Sequence, residues 1–96
     1  MNSTFLGEPN AKIKQAMLNR YNRLKLIVET TDEYKKSGIY SAERDDTSKP
    51  VVIDWGDETV EQVNGDISLK THEYASVGTF NVVVDNIKSY AASGNN

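Results

Sequence analysis

Two kinds of hydrophobic spacing follow one another along the chain, and the first lies near the N-terminus. Ile13, Met17 and Tyr21 recur every four positions between residues 10 and 21. Such spacing is typical of one face of an α-helix. It predicts an amphipathic helix over residues 10–21, within an N-terminal extension over residues 1–22.

Beyond residue 22 the period changes to two, as in a half-buried β-strand. Leu24, Leu26 and Val28 alternate with mostly polar residues and predict a strand over residues 23–31. The clearest later alternation predicts another strand over residues 79–87. These two runs make β-structure the dominant expectation.

Shorter β-prone runs separated by turn residues fill the middle of the chain. They predict strands over residues 51–55, 59–63 and 67–74, with Ile39-Tyr40 as a candidate edge strand. Asn64-Gly65 is typical of a hairpin turn between two of them. Short strands at this spacing predict a small β-sandwich over residues 23–88. Residues 89–96 are expected to form a flexible tail.

Composition narrows the class of protein without naming a function. The chain has 96 residues, 38% of them hydrophobic and 26% charged, which fits one ordinary globular domain. There is no cysteine, which excludes disulfides, thiolate metal sites and thiol nucleophiles. The sequence has no apolar run of about 18 residues and no signal-peptide pattern, so we expect neither membrane insertion nor export.

Charge is distributed unevenly along the chain. Residues 1–31 carry a net charge of +3 and residues 32–96 one of −6. Lys12, Lys14 and Arg20 flank the predicted apolar stripe. They belong either to a solvated face or to a surface that docks on an acidic partner. Nucleic-acid binding is not expected, because it needs a denser basic patch with interleaved aromatic residues.

Candidate chemistry is sparse. His72 is the single histidine and no nucleophile motif accompanies it, so we expect no enzymatic activity and no cofactor. No EF-hand calcium loop is present, and we expect no metal site. The acidic residues that would be candidates for calcium on sandwich loops are Asp32, Glu33, Asp45, Asp46, Asp57 and Glu58.

Two segments carry a family resemblance. Ile53-Asp54-Trp55-Gly56-Asp57-Glu58-Thr59 resembles the W-D-F-G-D-G-T core of the PKD (polycystic kidney disease) domain, an immunoglobulin-like sandwich. The run from His72 through Tyr74, Gly78 and Phe80 to Val82 resembles its second hallmark, H-x-Y-x-x-x-G-x-Y-x-V. The match covers roughly residues 50–87. It departs from the family at Ile53, Trp55, Glu58 and Phe80, and the predicted helix is not part of the family's pattern.

The motif residues are expected to have structural roles. Trp55 should fill the core, because large aromatic rings dominate packing. Gly56 suits a backbone position without Cβ strain, and Asp57 suits bonds to local backbone N–H groups. Tyr74 is expected to tie a connection to nearby backbone through its hydroxyl. Glu58 in place of the family's second glycine predicts a different turn after Asp57.

The resemblance implies a non-catalytic structural or interaction module, with two alternatives for its setting. One is an accessory component of a bacteriophage virion, a capsid decoration or fibre-associated protein that docks on a virion protein through its N-terminal segment. The absence of a signal and an anchor from a chain beginning at Met1 favours this alternative. The other is a PKD-like spacer or binding module of a bacterial cell-surface adhesin or lipoprotein. A homo-oligomer is compatible with both.

Overall fold

A computed structural model describes residues 11–93, which form eight β-strands. The strands are β1 (Lys12–Leu18), β2 (Arg23–Glu29), β3 (Lys36–Arg44), β4 (Val51–Asp54), β5 (Val60–Val63), β6 (Ile67–Glu73), β7 (Thr79–Asp85) and β8 (Ile87–Ser93). They form a five-stranded sheet in the order β1-β2-β7-β4-β5 and a three-stranded sheet in the order β6-β3-β8. All the pairings are antiparallel. The predicted mostly-β class is confirmed.

The core lies between the two sheets and is built from the alternating residues of their strands. The five-stranded sheet contributes the fully buried side chains of Leu24, Leu26, Val28, Val51, Ile53, Val82 and Val84. The three-stranded sheet contributes Ile39, Ala42, Ile67 and Ile87. Each fully buried Val, Leu or Ile contributes about 1.5–3 kcal/mol relative to exposure. The period-two patterns of β2 and β7 are therefore the patterns of core strands.

The prediction of a helix over residues 10–21 is wrong for the described residues. Lys12–Leu18 is a strand paired with β2, and the register shifts between Ile13 and Gln15. This bulge adds a residue and changes the alternation, so Ile13 lies opposite core-facing Val28 while Met17 lies opposite Lys25 on the outer face. Ile13 and Met17, four positions apart, therefore lie on opposite faces of a strand and not on one face of a helix. Residues 1–10 of the predicted extension lie outside the described residues.

Two further boundaries differ from the expectations. Residues 89–93 belong to β8 and pair with β3, so the predicted tail is wrong there, while residues 94–96 lie outside the described residues. β3 contains the Ile39-Tyr40 pair and is the central strand of its sheet, not an edge strand. Charged residues on both sides of that pair interrupt the hydrophobic alternation, so the sequence pattern does not reveal the full length of β3.

Residues 11–93 contain no helix that is long and apolar enough to cross a bilayer.

The connection at Asn64-Gly65 is not a hairpin. β5 lies at the edge of the five-stranded sheet and β6 at the edge of the three-stranded sheet. The dipeptide thus carries the chain from one sheet to the other, with Gly65 at φ +153°. After this crossing, the second motif segment begins on β6 in the three-stranded sheet and ends on β7, which pairs with β4 of the first motif segment.

Candidate functional site

Four rings from the two motif segments form a continuous stack, here called the aromatic column (Trp55, His72, Tyr74 and Phe80). Trp55 stacks on His72 with ring centroids 5.0 Å apart. The edge of one ring meets the face of the other between His72 and Tyr74, at 4.7 Å. Tyr74 then stacks on Phe80 at 4.1 Å. Aromatic pairs at these separations add about 0.5–1.5 kcal/mol each beyond area burial.

The polar atoms of the column are bonded internally. Trp55 Nε1 donates to Glu61 Oε1 over 2.6 Å, and the Tyr74 hydroxyl donates to the Trp55 carbonyl oxygen over 2.7 Å. Trp55 is fully buried, and Tyr74 is nearly so. Burial raises the pKa of Tyr74 far above its ordinary value of 10, so the hydroxyl remains a donor. Trp55 and Tyr74 therefore make the column part of the hydrophobic core.

His72 and Asp57 form a partly buried pair beside Trp55. His72 Nε2 and Asp57 Oδ2 are 2.7 Å apart, and Asp57 Oδ1 accepts from the Thr59 N–H at 3.2 Å. Burial alone raises the pKa of the Asp57 carboxyl, but the bonds with His72 and Thr59 outweigh it and lower that pKa below 3.8. The histidine ring lies between two aromatic rings with Nε2 already engaged. The contact therefore fixes the orientation of the His72 ring and favours the ionised form of the Asp57 carboxyl group.

The turn after β4 has a backbone that demands particular residues. Gly56 has φ +86°, and a Cβ there would clash with the backbone of Asn81 in β7. Asp54 Oδ1 accepts from the Gly56 N–H at 3.0 Å. Glu58 also adopts a left-handed conformation, with φ +75°. Position 58 thus has the backbone that glycine favours although it carries a glutamate.

A clamp that the sequence pattern did not predict fixes the connection before β7. Buried Thr30 accepts the Gly78 N–H on its Oγ1 at 2.8 Å, and its own N–H donates to the Gly78 oxygen at 2.9 Å. Thr30 Oγ1 lies 3.0 Å from the Ser76 oxygen, to which it donates. The only signal in the sequence is a polar residue at the end of an apolar strand. The clamp places Gly78 at the end of β2.

Asn86, also not predicted, organises the opposite end of the molecule. Its Nδ2 lies 3.1–3.2 Å from the backbone oxygens of Asp46, Lys49 and Pro50, which share its two N–H donors, while its Oδ1 accepts from Asp46 N at 2.8 Å. Its φ is +74°, a conformation that Asn tolerates better than most residues. One side chain thereby fixes the connection between β3 and β4.

A groove of about 440 Å³ lies beside Asn86, and Tyr21 lines it together with the carboxylates of Asp45, Asp46 and Asp85. Its carboxylates have partners within the chain: Asp45 accepts from Asn22 at 2.8 Å, Asp46 from Ser48 at 2.6 Å and Asp85 from Arg23 at 2.6 Å. The bonds from Ser48 lower the pKa of Asp46. Nowhere in residues 11–93 do three or more metal-binding side chains come together, and this includes the calcium candidates.

The outer face of the β1–β2 hairpin exposes apolar side chains. Met17 is 55% exposed and Tyr21, in the turn, is 71% exposed. Met17 and Ile27 line a groove of about 200 Å³ with Gln15 and Lys25. Ile13 is separated from them, because it packs partly buried against the core. The structure therefore leaves Met17 and Tyr21 available to a partner, and not Ile13.

The basic residues of the hairpin surround this face. Arg20 lies over the Tyr21 ring at 5.0 Å, and its Nη2 donates to the Tyr21 hydroxyl at 2.8 Å. Lys14 Nζ is 3.8 Å from Glu29, and Lys12 is exposed. These contacts are on the surface, where ion pairs contribute little to stability. We call the set Met17, Tyr21, Ile27, Arg20 and Lys25 the hairpin face; Ile27 is partly buried and the other four are exposed.

Comparison with known proteins gives no match to a family model, to a curated protein or to a solved structure.

Proposed function

We propose that this protein is a non-catalytic interaction module that docks on a larger protein assembly through the hairpin face. One observation carries the proposal: Met17 and Tyr21, which lie on one hairpin with Arg20 and Lys25, are 55% and 71% exposed. By contrast, the motif residues bond and stack among themselves. A stable scaffold that exposes two large apolar side chains on one hairpin suits attachment better than chemistry.

The assembly in this proposal is a bacteriophage virion, with the chain as a capsid decoration or fibre-associated component. The support is the resemblance of residues 53–59 and 72–82 to the hallmarks of the PKD-type immunoglobulin-like domain. Modules of that kind are familiar on virions of tailed phages and on bacterial surface proteins. The same resemblance supports the alternative, a spacer or binding module of a cell-surface adhesin or lipoprotein.

In this attachment, apolar side chains supply the affinity and basic side chains guide the encounter with the partner. Met17 and Tyr21 supply buried contact area, which dominates the affinity of interfaces. Lys12, Lys14 and Arg20 speed encounter with an acidic surface and favour one register. Ile13 takes no part, since it faces the core.

The test is co-sedimentation with the purified phage particle, using variants of the intact chain. Met17→Ser with Tyr21→Ser should weaken pelleting at least tenfold, about 1.4 kcal/mol of binding free energy. Replacing Lys12, Lys14 and Arg20 by Gln should cause a smaller loss that shrinks at high salt.

The matched control is Tyr40→Ser with Val77→Ser, two residues that are 61% and 53% exposed elsewhere on the surface. This variant should pellet like the parent, and circular dichroism should show that all variants are folded. Unchanged pelleting of the hairpin variant would refute docking through this face. Enrichment of the chain in cell-envelope fractions rather than particles would favour the adhesin alternative.

A further inference from the structure

Opposite charges lie on two sides of Tyr21, in the turn between β1 and β2. On one side, the Arg20 guanidinium lies 5.0 Å from the centre of the Tyr21 ring. On the other, Tyr21 lines the groove that also contains the carboxylates of Asp45, Asp46 and Asp85. The residues that line this groove do not include Arg20. Tyr21 therefore adjoins both an exposed cation and a group of carboxylates.

The groove keeps an excess of negative charge. Asp45 and Asp46 accept hydrogen bonds from neutral side chains, an amide and a hydroxyl. Asp85 is paired with Arg23, whose Nε lies 2.6 Å from its carboxylate oxygen. Lys49 is the one cation among the described residues that line the groove. Its charge does not balance the carboxylates, so the groove suits an additional cation.

Arg20 is a cation of the kind that such a groove binds. Within residues 11–93 it forms no ion pair, and its Nη2 donates to the neutral Tyr21 hydroxyl. A guanidinium has several more N–H donors, whose planar arrangement matches a carboxylate. Tyr21 is 71% exposed, and Tyr and Arg are the side chains that most often dominate binding at interfaces.

The described chain begins and ends far from the groove. Ala11 N donates to Lys36 O at 2.8 Å, and Ser93 pairs with Gly38, so both ends lie beside the start of β3. Asp45, which lines the groove, directly follows the last residue of β3. The groove is therefore at the opposite end of the sandwich from Ala11 and Ser93.

From these observations we infer that the groove binds a second copy of this chain, with Arg20 of each copy against Asp45 of the other. Since Tyr21 adjoins both charges, a twofold axis beside it brings the cation of one copy to the carboxylate of the other and repeats the contact. Pairs of this symmetry are the commonest homo-oligomers. Tyr21, with Pro50 and Val52 of the groove, supplies the apolar contact area.

This pairing goes beyond the docking proposed above and does not depend on it. Met17 and Ile27 line the separate groove on the outer side of the hairpin, so the pair leaves them exposed to a partner. Arg20 and Tyr21 take part in both contacts. Docking through the whole hairpin face therefore competes with pairing at the same copy.

The test is sedimentation equilibrium of the intact chain from micromolar to millimolar concentration, with no phage particle present. The parent should form a dimer that dissociates on dilution and at high salt, because salt screens exposed charges. Arg20→Glu and Asp45→Arg should each weaken dimerisation at least tenfold, because the symmetry places each like-charge contact twice in the pair.

Mixing the two charge-reversed variants tests the specific contact. In a mixed pair, the new carboxylate of Arg20→Glu faces the new guanidinium of Asp45→Arg, while the second contact is the native one. The mixture should therefore form a heterodimer about as readily as the parent pairs with itself. The double variant, Arg20→Glu with Asp45→Arg, should also pair with itself.

The matched controls change net charge by the same amounts elsewhere. Lys12→Glu and Asp32→Arg alter exposed residues at the opposite end of the sandwich and should dimerise like the parent. Met17→Ser should also dimerise normally while it weakens pelleting with the particle, so this inference and the proposed function can fail independently. Circular dichroism checks that every variant is folded.

Several results would overturn the inference. One is a monomer at millimolar concentration, and another is a dimer that neither charge reversal weakens. Failure of the two variants to pair on mixing would also contradict it. If the chain stays monomeric and Asp45→Arg abolishes pelleting with the particle, the groove binds the larger assembly and not a second copy.

Discussion

The hydroxyl of Tyr74 donates a hydrogen bond to the backbone oxygen of Trp55, 2.7 Å away and out of contact with water. The bond joins the two motif segments, which are 19 residues apart at these positions. It does so at the centre of the aromatic column, where each segment also contributes a ring. Tyr74 thus connects the turn after β4 to the loop before β7.

Removing this hydroxyl should destabilise the fold without changing its shape. Tyr74→Phe keeps the ring stacked on Phe80 but leaves a buried carbonyl oxygen without its donor, which costs about 1–3 kcal/mol. Urea unfolding followed by Trp55 fluorescence measures the change. Tyr40→Phe, at a hydroxyl on an exposed side chain, should lie within about 0.5 kcal/mol of the parent. Equal effects of the two changes would contradict the role given to Tyr74.

Truncating Trp55 should have a larger effect. Trp55→Ala removes the ring that stacks on His72 and leaves a cavity, at a cost of about 3–5 kcal/mol. In a domain of this size such a loss lowers the melting temperature by more than about 10 °C. Thermal unfolding by circular dichroism is the measurement. Trp55→Phe, which retains a ring, should lie between the parent and the Ala variant.

Position 58 should accept glycine with a gain in stability. A left-handed conformation costs a residue with a Cβ about 1–2 kcal/mol. Glycine avoids this cost, but it loses more backbone entropy on folding, which offsets part of the gain. Glu58→Gly should therefore stabilise the protein by about 0.5–1 kcal/mol in urea unfolding. Glu58→Ala is the control, since it removes the charge and keeps the Cβ. An equal gain from Ala would mean that charge is responsible.

Acid should weaken the contact between Asp57 and His72. The pKa of Asp57 is lower in the folded chain than the ordinary 3.8, so the folded state binds fewer protons there than the unfolded state. The stability that this carboxylate contributes is complete above the unfolded pKa and is lost as the pH falls through the folded pKa.

The corresponding variant is Asp57→Asn. Its loss of stability relative to the parent should shrink as the pH falls below about 4. Urea unfolding at a series of pH values measures this, with Asp32→Asn, an exposed change in the β2–β3 connection, as the control. A difference between parent and variant that grows towards acid would reverse the sign and refute the assignment.

Removing divalent metal should leave folding unchanged. The carboxylates beside Asn86 are bonded within the chain, and those in the turn after β4 bond locally and to His72. EDTA is therefore expected to leave the melting temperature where it is. A large drop that added calcium restores would contradict this, and variants of Asp45, Asp46 and Asp57 would then locate the ion.

The strands are predictable where one face meets the core without interruption. β2 and β7 alternate regularly, and their predicted bounds lie within a few residues of the observed ends. β1 is not predictable in this way, because its bulge at Lys14 turns a period of two into a spacing that imitates a helix. Pairing with β2 then overrides local propensity. β3 is predicted only in part, since charged residues surround its apolar centre.

The candidate sites divide in the same way. Local sequence signals are enough for the turn residues Asp54, Gly56 and Asp57, because the bonds between their carboxylates and backbone N–H groups reach only two residues along the chain. Two other features depend on how the strands cross between the sheets: the Trp55–His72 stack and the contacts of Asn86 Nδ2 with three backbone oxygens. The sequence pattern alone does not show which distant residues come together.

The crossing at Asn64-Gly65 also affects how quickly the chain can fold. The β1–β2 hairpin closes over a short loop, whereas β3 must find β6 and β8 far along the chain. Distant pairing of this kind slows folding, because loop closure precedes any gain in contact energy. The aromatic column takes its rings from both sheets, so it can assemble only when they meet. The change in Trp55 fluorescence during folding should therefore report when the two sheets come together, and not when either sheet forms.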